Sequence, residues 1–315
     1  MGKKTANAVT LNLSVSIAGL CLKNPVIAAS GTFGYGSEYA QIIDVSRLGG
    51  ICTKGLTLHP RAGNEGIRVW ESQGGLLNSI GLENPGIPAF LEKELPSLRK
   101  LGPAVIANLS GSTIEEYAEG AALLNKSTVD MIELNISCPN VKEGGMNFGM
   151  DAQAAAEVTS AVRRVLTSKP LMVKLTPNAQ HLISIARACV NAGADALSLV
   201  NTFKAMAIDV QSRKPVFKNI SAGLSGPAIK PIALSMVWEL CREFSQAGNH
   251  PAVPVIGMGG IANAADALEF ILAGAAAVQV GSATFKHPAA MIEIIDGIEN
   301  YMRKYKFSCI NEIVM

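Results

Sequence analysis

The sequence has little charge and no large excess of either sign. Its 27 Lys and Arg residues nearly balance its 25 Asp and Glu residues, which leaves a net charge of +2 in 315 residues. This balance argues against nucleic acid or an anionic membrane as a partner, since both attract clustered positive charge. Only 17% of the residues are charged and 49% are hydrophobic, whereas about 25% are charged in ordinary soluble domains. The chain can therefore bury a large interior, and its weakly charged surface favours a broad subunit interface.

Long apolar runs and clustered metal ligands are also missing. No stretch approaches the roughly 18 consecutive apolar residues of a membrane span, and the opening residues, MGKKTANAVTLNLSV, lack the apolar segment of a signal peptide. We therefore expect a cytoplasmic protein. The six cysteines and four histidines are scattered, without the CxxC spacing of zinc or iron–sulfur sites. The sequence thus predicts reduced thiols and no metal site.

Short apolar segments of strand length recur along nearly the whole chain. They cover residues 24–30, 49–55, 104–110, 131–137, 171–177, 196–202, 253–260 and 277–283. Segments of helical periodicity or composition lie between them, at 88–101, 113–125, 151–168, 179–192, 227–246 and 263–273. Continuous hydrophobicity indicates strands covered on both faces, as in a parallel sheet. The alternation predicts an α/β fold, a (β/α)8 barrel forming one domain over residues 1–315, with a doubly wound open sheet as the alternative.

Two further features add detail to the predicted barrel. Residues 11–23, LNLSVSIAGLCLK, alternate in polarity around a Gly turn and predict a short β-hairpin that closes the bottom of the barrel. Capping residues precede three predicted helices, with Ser112 or Thr113, Asp151 and Asn263 as the candidates.

Polar or glycine residues end nearly every predicted strand, where barrel enzymes carry their active sites. A single Asn, Ser or Gly at such a position is more often just part of a loop. Lys54 and Lys174 are more informative, because an unpaired ammonium is costly to bury beside an apolar strand. We expect each lysine to face an anion and both to line one cleft. The residues at the strand ends are Ser30, Lys54, Asn108, Asn135, Lys174, Asn201 with Thr202, Gly259 with Gly260, and Gly281 with Ser282.

Glycine-rich segments follow the last two predicted strands, as GMGGIANAAD (257–266) and VGSATF (280–285). Barrels commonly hold a phosphate group there through backbone amides, so we expect a phosphorylated ligand. Residues 257–262 also fit G-x-G-x-x-A, but the next strand ends without an acidic residue for a ribose. No G-x-x-x-x-G-K-[ST] motif occurs. A dinucleotide-binding fold and a P-loop are therefore both disfavoured.

Cys138 lies in a polar, glycine-rich segment after the fourth predicted strand, NISCPNVKEGG (135–145). Cys52, Cys189 and Cys241 instead lie within apolar runs, as buried and unreactive thiols do. Cys138 is therefore a candidate nucleophile or general base, and the adjacent glycines are a candidate hinge for a loop that closes over it.

Together these segments resemble the dihydroorotate dehydrogenase family over most of the chain. The similarity is greatest to the class 1B catalytic subunit, the flavin-carrying half of the NAD-dependent bacterial enzyme, chiefly through ASGTFGYG and CPNVKEGG. The segments that carry the resemblance are ASGTFGYG (29–36), TKGLT (53–57), NSIGLENPG (78–86), ELNISCPNVKEGG (133–145), VKLTPN (173–178), LVNTF (199–203), GLSGPAIKP (223–231) and VIGMGGI (255–261).

The resemblance implies a barrel that carries FMN and oxidises (S)-dihydroorotate to orotate in pyrimidine (UMP) biosynthesis. Cys138 corresponds to the base that takes the C5 proton while hydride leaves C6 for flavin N5. The resemblance also implies a second subunit, with FAD and a [2Fe–2S] cluster, that passes electrons to NAD. The expected assembly is a heterotetramer of two catalytic and two electron-transfer subunits.

The resemblance also assigns binding residues. Lys174 would offset negative charge on the reduced flavin, and the long loop 203–226 would cover the flavin. The implied FMN contacts are Ser30, Lys54, Gly55, Asn108, Asn135, Lys174, Val200, Gly226, Gly259, Gly260, Gly281 and Ser282. The implied substrate contacts are Lys54, Asn78, Ser79, Ile80, Gly81, Leu82, Asn135, Asn201 and Thr202.

Three alternatives remain open from the sequence. Within the same family, the class 1A enzyme passes its electrons to fumarate. A sugar-phosphate lyase or isomerase barrel could use Lys54 or Lys174 as a Schiff base and would be colourless as purified. A non-catalytic nucleotide-binding barrel would bind FMN without reacting with dihydroorotate.

Overall fold

The computed structural model describes residues 11–137, 148–245 and 252–314, and eight of its strands close into a barrel. In chain order the strands are β1 (Val15–Ile17), β2 (Leu20–Leu22), β3 (Val26–Ala28), β4 (Gly50–Cys52), β5 (Val69–Ser72), β6 (Gly75–Asn78), β7 (Ala104–Leu109), β8 (Met131–Asn135), β9 (Leu171–Lys174), β10 (Ala196–Leu199), β11 (Phe203–Met206), β12 (Ile208–Asp209), β13 (Lys214–Pro215), β14 (Ser221–Ser225), β15 (Val255–Met258) and β16 (Ala277–Val280).

The barrel strands are all parallel to their neighbours and run β3-β4-β7-β8-β9-β10-β15-β16 before closing on β3. Each strand lies within one of the eight apolar segments read from the sequence, so the predicted (β/α)8 barrel is confirmed. The strands are almost wholly buried because helices cover one face and the barrel interior covers the other.

Helices alternate with the barrel strands. Among the described residues they are α1 (Ile87–Ala89), α2 (Leu95–Lys100), α3 (Ile114–Asn125), α4 (Ala152–Val165), α5 (Leu182–Asn191), α6 (Lys230–Phe244), α7 (Ala264–Leu272), α8 (Ala283–Lys286) and α9 (Ala290–Tyr305). A π-helical turn, Phe90–Glu94, joins α1 to α2, and short 3-10 turns span Tyr39–Gln41, Val45–Arg47, Pro227–Ile229 and Ile310–Glu312. None of these helices is both long and apolar enough to cross a bilayer.

Three helices begin at the capping residues predicted from the sequence. Thr113, Asp151 and Asn263 each accept a backbone N–H from the first turn of α3, α4 and α7, which confirms them as N-caps. α9 lies outside the helical segments that we predict from the sequence. Its apolar residues recur at helical spacing, and Met291 and Ile294 are fully buried in the main core.

The predicted N-terminal hairpin is present as the antiparallel pair β1 and β2, joined at Ala18 and Gly19. It precedes the amino end of β3. Ile17 and Leu22 are buried in the same core cluster as the barrel strands, so the hairpin is part of the main core.

The segment 203–226, expected as one long loop, is largely β-structure. Its strands β11 and β14 pair with each other, and β14 also pairs with β6, which forms a hairpin with β5. This four-stranded antiparallel sheet joins the connections that follow β4 and β10, with Leu77, Phe217 and Ala222 in a small core of its own. Two long connections at the carboxyl end of the barrel therefore brace each other.

Candidate active site at the carboxyl end of the barrel

A buried carboxylate, Glu133 of β8, lies at the centre of a polar cluster inside the barrel. Parallel register sets Glu133 beside Asn108 of β7, and the barrel's closure brings in residues from strands further round. Both carboxylate oxygens accept hydrogen bonds. Oε1 accepts from Asn108 Nδ2 at 2.6 Å and Cys52 Sγ at 3.2 Å, and Oε2 accepts from Gln279 Nε2 at 2.7 Å and Ser198 Oγ at 2.9 Å.

Lys174, at the end of β9, is the cation of this cluster. Its Nζ lies 3.6 Å from Oε1 of Glu133 and donates to Ser30 Oγ at 3.4 Å. Only 4% of Lys174 is exposed, and Glu133 is fully buried. The expectation that Lys174 faces an anion is therefore met by a carboxylate of the protein itself, so this lysine alone does not require an anionic ligand.

The ion pair sets the proton affinity of the groups around it. Burial raises the pKa of the Glu133 carboxyl, but Lys174 and the hydrogen-bond donors outweigh burial and bring that pKa below its ordinary value. Burial, followed by the negative charge of Glu133, raises the pKa of the Cys52 thiol well above its usual range. Glu133 is thus an anion, and Cys52 is a protonated hydrogen-bond donor to it.

A line of amide side chains leads from Glu133 towards the barrel mouth. Asn135 Nδ2 donates to Asn108 Oδ1 at 3.3 Å, and Asn135 Oδ1 accepts from Ser137 Oγ at 2.7 Å. Asn201 Nδ2 donates to Ser137 Oγ and lies 3.5 Å from Asn135 Oδ1. The structure therefore brings together Asn108, Asn135 and Asn201, which the sequence analysis places at separate strand ends.

A second group of predicted residues gathers around the end of β15. Gly259 and Gly260 have φ values of +122° and +75°, which favour glycine. A Cβ on Gly259 would lie 2.8 Å from Val200 Cγ2, and a Cβ on Gly260 would lie 2.9 Å from the carbonyl oxygen of Gly226. Val200, Gly226, Gly259 and Gly260 therefore meet in one place.

Gly226 also has a role within the fold. Its φ is +102°, and a Cβ there would lie 2.8 Å from Cα of Gly75, on the neighbouring connection. The close approach of the two backbones at this point requires glycine on structural grounds alone.

Gly281 and Ser282 follow β16 and lie next to the segment that ends β3. A Cβ on Gly281 would contact Ala29 Cβ at 3.6 Å, beside Ser30 in the chain. The carbonyl of Gly281 accepts from Thr284 of α8. Ser30, Gly281 and Ser282 therefore share one sector of the mouth.

Lys54 and Leu82 lie in the neighbouring sector of the mouth, beyond the end of β4, which pairs with β3. Lys54 is partly exposed, with its Nζ 3.8 Å from Glu83 Oε2. A Cβ on Gly55 would lie 3.1 Å from Leu82 Cδ2 and 3.2 Å from Asn108 Oδ1, so Gly55 connects this side to the buried amides. Lys54, like Lys174, has a carboxylate of the protein as its neighbour.

The remaining predicted substrate contacts are fixed by their own neighbours. Asn78 Nδ2 donates to the carbonyl of Gly223 at 3.2 Å, and a Cβ on Gly223 would meet Thr202 Oγ1 at 2.2 Å. Asn78 and Thr202 are therefore near each other. Ser79, Ile80 and Gly81 contact Asn64 or Arg68 through backbone groups, which ties them to the preceding loop.

Cys138, the predicted base, lies outside the described residues, as do the glycines expected to hinge its loop. The last described residue before it, Ser137, hydrogen bonds to Asn135 and Asn201. Its assignment as the base therefore stays a prediction.

Sequence reasoning missed Glu133, Ser198 and Gln279, which are buried within apolar strands. The cost of burying an unpaired charge, applied to Lys54 and Lys174, applies equally to the single acidic residue in MIELN (131–135). That signal could have identified Glu133. Ser198 and Gln279 carry no such signal, because neutral polar residues inside a strand do not reveal their partners.

The chain is similar in sequence to known proteins over nearly its whole length. The sequence model of the family described as dihydroorotate dehydrogenase matches residues 12–302. A protein of Petrotoga mobilis named "Dihydroorotate dehydrogenase B (NAD(+)), catalytic subunit" is 55% identical over 303 residues, which cover 96% of this chain and 98% of the relative. Proteins with the same name from Geotalea daltonii and Caldicellulosiruptor saccharolyticus are 55% and 52% identical over 304 residues, again covering 96% of this chain and 97% and 98% of theirs.

A family match over nearly the whole barrel, together with relatives more than half identical along almost their full length, establishes the relationship. The chain belongs to the dihydroorotate dehydrogenase family.

Proposed function

We propose that this chain is the catalytic subunit of an NAD-linked dihydroorotate dehydrogenase, an oxidoreductase that converts (S)-dihydroorotate to orotate with FMN as its cofactor. The observation that carries the proposal is the 55% identity, over 96% of this chain, to a relative named "Dihydroorotate dehydrogenase B (NAD(+)), catalytic subunit". It is supported by the polar side chains of Ser30, Asn108, Asn135 and Lys174 at the carboxyl end of the barrel. A cation and amide side chains can hydrogen bond to the polar edge of a flavin and to the carboxylate and amides of the substrate.

The described residues fit FMN in two respects. The buried hydroxyl of Ser110, whose Oγ lies 3.8 Å from where a Cβ on Gly55 would be, has no hydrogen-bond partner among the described residues. Gly259 and Gly260 keep the backbone free of side chains where barrels bind phosphate. The cofactor contacts proposed are Ser30, Lys54, Gly55, Asn108, Asn135, Lys174, Val200, Gly226, Gly259, Gly260, Gly281 and Ser282.

In this proposal FMN supplies the acceptor for the hydride that leaves C6 of dihydroorotate. Cys138 accepts the C5 proton, since a thiol ionises nearer neutral pH than a serine hydroxyl does. Lys54, Asn135, Asn201 and Thr202 orient the substrate. Asn78 and residues 79–82 complete its binding site.

We further propose that the lone chain does not deliver electrons to NAD. The six cysteines are too scattered in sequence for an iron–sulfur relay, and the GMGGIA segment lacks the acidic residue of a dinucleotide site. A partner subunit with FAD and a [2Fe–2S] cluster would carry out this transfer in the cytoplasm, in a heterotetramer of two subunits of each kind. The proposal of one domain is supported by a core cluster whose residues range from Val15 to Ile313.

The test is to purify the chain alone, record its absorption spectrum and mix it with dihydroorotate in a stopped-flow instrument. We expect the purified protein to be yellow and dihydroorotate to bleach its flavin, whereas a lyase would be colourless. Reduction of an artificial dye without reduction of NAD supports the partner subunit. Rapid turnover with fumarate would instead indicate the class 1A reaction, and rapid NAD reduction by the lone chain would exclude the need for a partner.

A further inference from the structure

Glu133 is a buried charged group to which the proposed mechanism assigns no role. It is fully buried, whereas Lys174 retains a small exposed fraction. In the parallel register Glu133 pairs with Met172, two residues before Lys174, so Glu133 lies deeper in the barrel than the lysine. Both carboxylate oxygens already accept hydrogen bonds from protein donors. Any effect on the reaction must pass through the residues that it contacts.

The contacts of Glu133 reach residues of the proposed cofactor and substrate sites. Lys174 Nζ lies 3.6 Å from Oε1. The same oxygen accepts from Asn108 Nδ2 at 2.6 Å. Because a carboxylate only accepts hydrogen bonds, it fixes the Asn108 amide with its oxygen turned towards Asn135, which donates to that oxygen.

The charges of Glu133 and Lys174 would have opposite effects on the reduction potential of a bound flavin. A cation beside the ring favours the negative charge that the ring gains on reduction, and an anion behind that cation cancels part of the effect. Cancellation is strong here because both side chains are removed from water, which would otherwise screen them.

We infer that Glu133 is a positioning residue that sets the reduction potential of the bound flavin, by holding the Lys174 ammonium in place while offsetting part of its charge. The inference rests on the proposed FMN site. It assigns a role in the reaction to a side chain that contacts neither reactant.

Glu133→Gln is the variant that tests this inference, because the cluster can accommodate it. An amide oxygen in the position of Oε1 keeps the donors Cys52, Asn108 and Lys174. The new NH2 group then faces Ser198, whose hydroxyl can turn to accept, and Gln279. The Oε1 of Gln279 has no partner among the described residues, so rotation of that amide supplies a second acceptor.

The measurement is the two-electron potential of FMN-loaded protein, equilibrated with a reference dye at pH 6. Glu133→Gln should raise the potential, with at least a tenfold higher ratio of reduced to oxidised flavin, which is about 30 mV for a two-electron couple. Lys174→Gln should lower it. The double variant, which carries neither charge, should lie between the two single variants.

Cys52→Ala is the matched control. It removes a donor to the same carboxylate oxygen without changing the charge of the cluster. Its potential should equal that of wild type. A shift in Cys52→Ala as large as that in Glu133→Gln, and in the same direction, would show that packing is responsible and would overturn the inference.

The outcomes separate this inference from the proposed function. Wild-type protein that binds no FMN overturns both. FMN-loaded wild type and Glu133→Gln with equal potentials overturn the inference alone, as does a lower potential in the variant. Should Glu133→Gln fail to fold, Lys174→Gln is compared with the double variant, and equal potentials in that pair overturn the inference.

Discussion

Replacing Gly259 by alanine is expected to damage both the fold and the proposed cofactor site. Gly259 follows β15 with a φ of +122°, a conformation that side chains rarely adopt. A Cβ there would lie 2.8 Å from Ala233 Cβ and 2.8 Å from Val200 Cγ2. Neither neighbour can rotate away easily, because Ala233 has only its Cβ and Val200 is stiff at χ1.

The expected loss of folding stability in Gly259→Ala has two components. Backbone strain of this kind costs about 1–3 kcal/mol, and overpacking a close contact typically costs about 1–3 kcal/mol more. Gly66→Ala is the matched control, since Gly66 has a φ of +80° but would place its Cβ in open space. Both variants put a side chain at positive φ, with Gly66 nearer the allowed left-handed region, and only Gly259→Ala adds close contacts. The free energy of unfolding should therefore be lower in Gly259→Ala than in Gly66→Ala by at least about 1–3 kcal/mol.

Urea unfolding followed by circular dichroism gives the stability difference, and fluorescence titration gives the FMN affinity. Gly259→Ala should also bind FMN more weakly, because relief of the clash must move Val200 or α6. Gly66→Ala should keep full FMN occupancy. Equal stabilities in the two variants would refute the packing argument, and wild-type FMN affinity in Gly259→Ala would refute the proposed location of the cofactor site.

Other perturbations test the remaining groups of the site. Cys138→Ala should bind FMN normally but be reduced by dihydroorotate about 10²–10⁴-fold more slowly; near-normal stopped-flow reduction would exclude Cys138 as the base. Lys54→Met should weaken orotate binding about tenfold or more, because hydrogen bonds to charged groups contribute about 1.5–3 kcal/mol; an unchanged spectral titration would remove Lys54 from the site. The folded pKa of Glu133 lies below its ordinary value, so its ionisation stabilises the fold above the unfolded pKa, and this stabilisation is lost as the pH falls through the folded pKa. Glu133→Gln should accordingly lose less stability than wild type as the pH falls below about 4.3, the ordinary pKa of a glutamate. Equal losses of unfolding free energy in the two proteins, measured by urea unfolding, would contradict this assignment.

Much of the barrel follows from local sequence patterns. Apolar segments such as 104–110 and 171–177 form strands because a continuous apolar run must be covered on both faces. Thr113, Asp151 and Asn263 mark helix starts because capping depends on residues within one turn. The positions of Lys174 and Asn135 at strand ends follow from the same local reading.

The pairing of the connections after β4 and β10 was not predictable in this way. β6 and β14 are joined from Leu76 to Ser225 and from Asn78 to Gly223, pairs far apart in the chain. The unpaired backbone groups at the edge of a strand can pair with many other strands, and the residues of that strand do not specify which one. The segment 203–226 therefore read as a loop.

Local sequence patterns determine the alternation of strand and helix, the capped helix starts, and the polar residues that end the strands. Each of these features depends on neighbours close in the chain. The tertiary structure decided which of those residues meet. Glu133 pairs with Lys174 because barrel closure and strand register bring β8 and β9 side by side. The same closure brings Ser198 and Gln279 to the other carboxylate oxygen, from strands that lie 65 and 146 residues further along the chain. Contacts over such separations depend on the whole barrel, and no local pattern encodes them.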